Sequence, residues 1–237
     1  MSLAKNRGRV AGLLYVVASI PGFYALAYVP SKILVRGNAT ATASNITTHE
    51  TLFRFGIVAD LISQAMFVFV ALALYELLKE VNRRHALAML TLILVAIPIA
   101  FLNEVNSIAA LVLVRGADFL SVFDKSQRDA LARLFLNLRG GGFDVAGIFW
   151  GLWLFPLGLL SYRSGSIPRI LGVLLMIGCF AYLTNSFTSL ALPQYEYIVS
   201  RWISPIQAVE LLFMFWLLIM GTKPKPQPNV SHATAQV

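Results

Sequence analysis

Three carboxylates, Asp60, Glu104 and Glu210, stand inside stretches of sequence that are otherwise apolar. If those stretches lie in lipid, each acid costs about 2.5 kcal/mol or more, so each marks a functional-site hypothesis by default. Amides accompany them. Gln64 follows Asp60 by four residues, Asn103 precedes Glu104, and Asn185 sits in a later apolar run, while Arg54 is a cation six residues before Asp60. Carboxylates ringed by amides suit a small cationic or neutral solute, with Arg54 as gate or counter-ion. Paired carboxylates also suit acid–base work on a lipid-linked substrate. The amides alone serve as interhelical glue. Binding, catalysis and structure therefore all stay open at this stage.

The composition decides the solvent. Of 237 residues, 58% are hydrophobic and 13% charged, against a soluble norm of about 45–50% and about 25%. That shift points to a lipid bilayer as the surrounding medium. The net charge of +8 is spread through short segments between apolar runs rather than gathered on a polar module. It reads as a positive-inside bias and not as a nucleic-acid surface. Cys179 is the one cysteine, so no intrachain disulfide can form.

Six apolar runs are long enough to span: 10–29, 53–78, 86–114, 143–162, 170–192 and 205–220. The first also carries signal-peptide features, Pro21-Gly22 and Ala25-Leu26-Ala27, but its length of about 20 residues favours retention as a span. The longest connection, 115–142, holds Leu131, Leu134, Phe135 and Leu138 at helical spacing, Ser126 with Asp129 as a capping box, and Gly140-Gly141-Gly142 as a stop. It predicts a short amphipathic helix in the longest outer loop. The fold class is all-α: a polytopic bundle of about six spans over residues 1–221, with a disordered cytoplasmic tail at 222–237. Ten Lys or Arg fall on the side of the termini and the 79–85 and 163–169 turns, which predicts both termini in the cytoplasm.

At ~1.5 Å per residue, Asp60, Glu104, Asn185 and Glu210 all fall in the outer half of the membrane, which predicts one outward-facing acidic layer. Asp144 shares a helical stripe with Gly147, Gly151 and Gly158, so it should face the bundle. GxxxxGK[ST], HExxH, GxSxG and CxxC are all missing from the sequence. No catalytic residue, cofactor or metal site is therefore assigned, and catalysis is the less favoured class.

Phe53-Arg54-Phe55-Gly56 with Asp60, the turn Asn82-Arg83, and above all the run Tyr162-Arg163-Ser164-Gly165-Ser166-Ile167-Pro168-Arg169-Ile170-Leu171-Gly172 resemble a family of bacterial multi-span membrane proteins catalogued as a domain of unknown function. The likeness covers roughly residues 5 to 220. It implies an integral protein of the bacterial inner membrane with its first span retained, and it brings no activity, cofactor or site residue.

Overall fold

The computed structural model describes residues 3–222. Apart from Thr222, the tail expected over 222–237 lies outside them. The described elements are helical, and no strand occurs among them. The first span, Asn6–Ile33, runs from within α1 (Leu3–Phe23) through a π-helical turn (Tyr24–Tyr28) to the end of α2 (Val29–Ile33). Next come α3 (Ala39–Thr48), α4 (Glu50–Leu78), α5 (Arg83–Arg115), α6 (Lys125–Arg163) and α7 (Arg169–Ala191). The last span, Pro193–Met220, holds α8 (Glu196–Gln207) and α9 (Val209–Met220). Among the described residues, six segments are thus long and apolar enough to cross a bilayer. The chain is an all-α, multi-pass membrane protein.

The main core lies between α1, α4, α5, α6, α7 and α9, where Tyr15, Leu74, Met89, Trp153, Leu157 and Phe213 are almost fully buried. The 79–82 and 164–168 turns mark one end of the bundle, called here the basic end. At ~1.5 Å per residue, the 33 residues of α5 and the 39 of α6 reach ~50 and ~58 Å, well past a ~30 Å hydrocarbon core. Both overshoot at the far end. There α3 packs against their projecting turns, and Val29, Ile33, Ile46, Phe53 and Leu111 close a second, smaller core.

The connection at 115–142 departs from expectation. Gly140, Gly141 and Gly142 do not stop a helix, and the amphipathic segment is the opening of the continuous α6. Each glycine costs a helix about 1 kcal/mol, but an unpaired backbone near the hydrocarbon boundary costs more, so the helix runs through. The cap also sits earlier. The Asp124 carboxylate accepts from Gln127 N at 2.9 Å while the Gln127 side chain accepts from Asp124 N at 3.0 Å. Asp129, expected in the cap, instead pairs with Lys125 at 2.7 Å. In the last span, α8 covers much of a stretch expected as loop, and the helix breaks at Ala208, three residues after Pro205, which has no amide to give.

The 162–172 run closes a tight turn between α6 and α7. Ser164 Oγ donates to Ser161 O at 2.8 Å and accepts from the amides of Ser166 and Ile167 at 3.2 Å. Gly165 takes φ +66°, a left-handed conformation that suits glycine. A Cβ on Gly172 would lie 2.6 Å from the Gly158 carbonyl oxygen, and one on Gly158 would lie 2.6 Å from that of Gly172. That space forces α6 and α7 together backbone to backbone.

Candidate functional site

Two polar clusters stand where one layer was expected. The first lies near the far boundary of the membrane. Asp60 is eighteen residues from the basic end of α4 and Glu104 twenty-one from that of α5, which puts them ~27 and ~31 Å above it. Asp60 is 0% exposed and Glu104 1%. Their cation is Arg139 of α6. Its Nε and Nη2 both reach Glu104 Oε1, at 2.8 and 2.7 Å, and Nη2 lies 3.9 Å from Asp60 Oδ2. The guanidinium also covers the Phe143 ring at 4.6 Å. Asn103 Nδ2 donates to the Arg139 carbonyl at 2.8 Å, which bolts α5 to α6 beside the ion pair. Gln64 Nε2 donates to Asp60 Oδ1 at 3.3 Å, so the expected i, i+4 pair does form.

The second cluster is deeper. Glu210 stands ten residues from the basic end of α9, ~15 Å along its axis, near mid-membrane. It accepts a hydrogen bond from the Tyr15 hydroxyl, and Tyr182 of α7 faces the same carboxylate. Tyr15 is itself wedged edge-on to Phe67, with ring centroids 5.4 Å apart, and tilted against Trp153 at 6.2 Å. Glu210 opens into a cavity of about 350 Å³ whose walls include Phe67, Trp150, Trp153 and Tyr182. Ser19, Ser63 and Gln64 add hydroxyl and amide groups to the lining. Phe23, Leu26 and Leu211 form its rim and are 71%, 42% and 47% exposed on the bundle's outer surface, so the cavity opens sideways. The π-helical turn in the first span and the break at Ala208 in the last both adjoin it. Irregular helix of this kind recurs at functional sites in membrane bundles.

The sequence-derived residues therefore sort into three groups. Asp60, Gln64, Asn103 and Glu104 come together around Arg139, and Gln64 also reaches the deeper cavity. Glu210 is in that cavity, well below the acids with which it was grouped. Arg54 and Asn185 join neither. Arg54 donates to Glu50 at 2.7 Å on the exposed first turns of α4 and makes no ion pair with Asp60. Asn185 is half-buried on α7 and lines neither cavity. Asp144 does face the bundle, accepting from Ser189 Oγ at 2.6 Å, and Gly147 and Gly151 on its stripe meet Ser186 and Tyr182 of α7.

Arg139 and Tyr15 were missed. Arg139 sits in a polar segment that reads as loop, yet the surplus of acids in spans two and three called for a cation at their depth. Counting ~1.5 Å per residue back from the 163–169 turn would have found one. Tyr15 carries no signal that separates it from an ordinary core aromatic.

An uncharacterized protein of Archaeoglobus fulgidus is 35% identical over 80 residues, which is 34% of this chain and 46% of that protein. The chain thus spans somewhat less than half the length of this relative. No solved structure matches this chain. Residues 10–221 match the model of a family described as a domain of unknown function (DUF4386), and the chain belongs to that family.

Proposed function

We propose that the chain binds a small solute, cationic or neutral, in the cavity around Glu210, and carries it between that cavity and one face of the membrane. The observation that carries this reading is a carboxylate at mid-membrane depth opening into about 350 Å³ of space walled by aromatic rings. An ammonium group gains from both parts, by charge from the acid and by the ring faces. A cavity of this size holds a small organic molecule. The sideways rim favours a solute that enters from the lipid. On this reading the chain sits in a bacterial cytoplasmic membrane, as the family resemblance implies, with both termini inside on the strength of the basic turns.

Benzyltrimethylammonium tests the reading directly. Added to the protein in nanodiscs, it should quench the fluorescence of Trp150 and Trp153 saturably, and Glu210→Gln should weaken the binding at least tenfold. Its uncharged carbon isostere, neopentylbenzene, tests the neutral alternative. Equal affinity for benzyltrimethylammonium in wild type and Glu210→Gln, or no saturable binding of either probe, would overturn the proposal.

A second reading has its own support. The bonds Asn103–Arg139 and Asp144–Ser189 each tie two neighbouring helices together, which is what a structural or regulatory subunit needs. Crosslinking to a partner protein, together with no binding of either probe, would favour it. Catalysis on a lipid-linked substrate stays behind both, because the sequence carries no nucleophile or metal motif.

A further inference from the structure

We infer that Asp60 and Glu104, gathered around Arg139, form a proton-binding site distinct from the Glu210 cavity and joined to it by Gln64. The site needs no solute, so it goes beyond the reading above.

The argument starts from charge and valence. Two carboxylates are buried with one guanidinium, so the trio carries one surplus negative charge when both acids are ionised. Bonding is equally lopsided. Glu104 Oε1 receives both Arg139 nitrogens and Asp60 Oδ1 receives the Gln64 amide. Asp60 Oδ2 and Glu104 Oε2 are buried with no hydrogen-bond donor. Leaving buried oxygens unpaired is costly. The two carboxyl groups converge on one nitrogen, Arg139 Nη2, at 3.9 and 2.7 Å, and neither ionised form can donate. One proton between them supplies the missing donor and cancels the surplus charge together. Carboxylates crowded into one site share a proton for this reason.

A metal ion fits worse. Nη2 of Arg139, 2.7 Å from Glu104 and 3.9 Å from Asp60, holds the place between the acids where a cation would sit. Among the described residues, no third His, Cys, Asp or Glu joins the pair as a ligand. The groups that act on Asp60 are Glu104 from α5, Arg139 from α6 and Gln64 from its own helix, while the first span contributes only apolar residues such as Val29 and Ile33 beside the site. A cleft of about 40 Å³ lined by Glu104, Ser107 and Arg139 reaches the Glu104 side of the site, enough for about three waters at ~10–15 Å³ each. Gln64 donates to Asp60 and lines the larger cavity as well, so a change of protonation reaches that cavity through one amide. Buried acids in this arrangement serve proton relays in other membrane proteins.

Infrared difference spectroscopy of the purified protein in lipid, titrated across neutral pH in H2O and D2O, reads the carbonyl stretch of a protonated carboxyl group. The expected result is a deuterium-sensitive band at neutral pH that Asp60→Asn and Glu104→Gln each remove and Glu210→Gln leaves in place. Either of the first two variants suffices if the other fails to fold, because each leaves one acid facing one guanidinium. No protonated-carboxyl band in the wild type overturns the inference without any variant. So does a set of protonated-carboxyl bands that both substitutions leave complete. No solute is added, so failure here is separate from failure of benzyltrimethylammonium to bind.

Discussion

Arg139 holds Glu104 by a single oxygen: Nε and Nη2 both point at Oε1, at 2.8 and 2.7 Å, and Oε2 is left without a donor. A guanidinium usually meets a carboxylate as a fork, one nitrogen to each oxygen. Here the fork is folded onto one atom, and the spare nitrogen direction is turned toward Asp60. The pair is built for a third member.

Removing the cation should therefore cost more than removing any other polar group in the bundle. Arg139→Met strands two buried acids and should lower stability by about 3 kcal/mol or more. Adding Glu104→Gln to it should restore part of that loss, since one uncompensated charge then disappears. Thermal unfolding in detergent measures both. An Arg139→Met protein as stable as wild type would mean that the acids are not ionically held.

The glycine run offers a test of the continuous α6. A Cβ on Gly140 or Gly141 meets nothing within 4 Å. Gly140→Ala and Gly141→Ala should each stabilise the protein by up to about 1 kcal/mol, the helix-propensity gain. Gly142 is different, because its Cβ would overlap the Asn103 side chain. Gly142→Ala should cost about 1–3 kcal/mol by overpacking. Destabilisation by all three would instead indicate a helix stop.

Hydrogen bonds to the two unshared acids can be ranked. Tyr15→Phe removes a donor from Glu210 at a site where Tyr15 is 2% exposed, and should cost about 1.5 kcal/mol. Ser189→Ala removes the donor to Asp144, and should cost about 0.6 kcal/mol, the average for such interhelical bonds. The reverse order, read from unfolding curves, would argue that Asp144 is the more tightly held acid.

Access and orientation can be read by cysteine labelling in a Cys179→Ala background. Ser44→Cys and Asp118→Cys lie at exposed positions of the far end and Glu80→Cys at the basic end. An impermeant maleimide added to intact cells should label the first two and spare the third. N-ethylmaleimide in isolated membranes should label Glu210→Cys through the sideways opening, and leave Asp60→Cys and Glu104→Cys unreacted. Labelling of Glu80→Cys in intact cells would reverse the orientation.

Much of the fold was legible because lipid makes hydropathy a strong signal. All six spans were visible, and the Asp144 stripe faced where its glycines said it would. The failures share a cause. Gly140-Gly141-Gly142 reads as a stop on propensity, but Asn103 packs onto Gly142 from the next helix, and sequence does not show that neighbour. Once α6 was cut there, Arg139 fell into a loop, and Arg54 became the nearest cation left to balance Asp60. Glu210 lies deeper than its sequence position suggests, because Pro205 does not open the last span, which begins at Pro193 and breaks at Ala208. In each case a local rule about proline or glycine lost to tertiary packing.

The backbone contact between Gly158 and Gly172, together with the Ser189–Asp144 bond ~20 Å farther along, fastens α6 to α7 at two levels. Two clamps on a pair of rods suppress sliding and splaying alike, so these helices move as one plank. Trp150, Trp153 and Tyr182 belong to that plank, whereas Glu210 comes from α9, a separate twelve-residue helix that begins after Ala208. The acid and the aromatic wall it faces are therefore set by different bodies, and the α9 register alone fixes how far Glu210 stands from the rings.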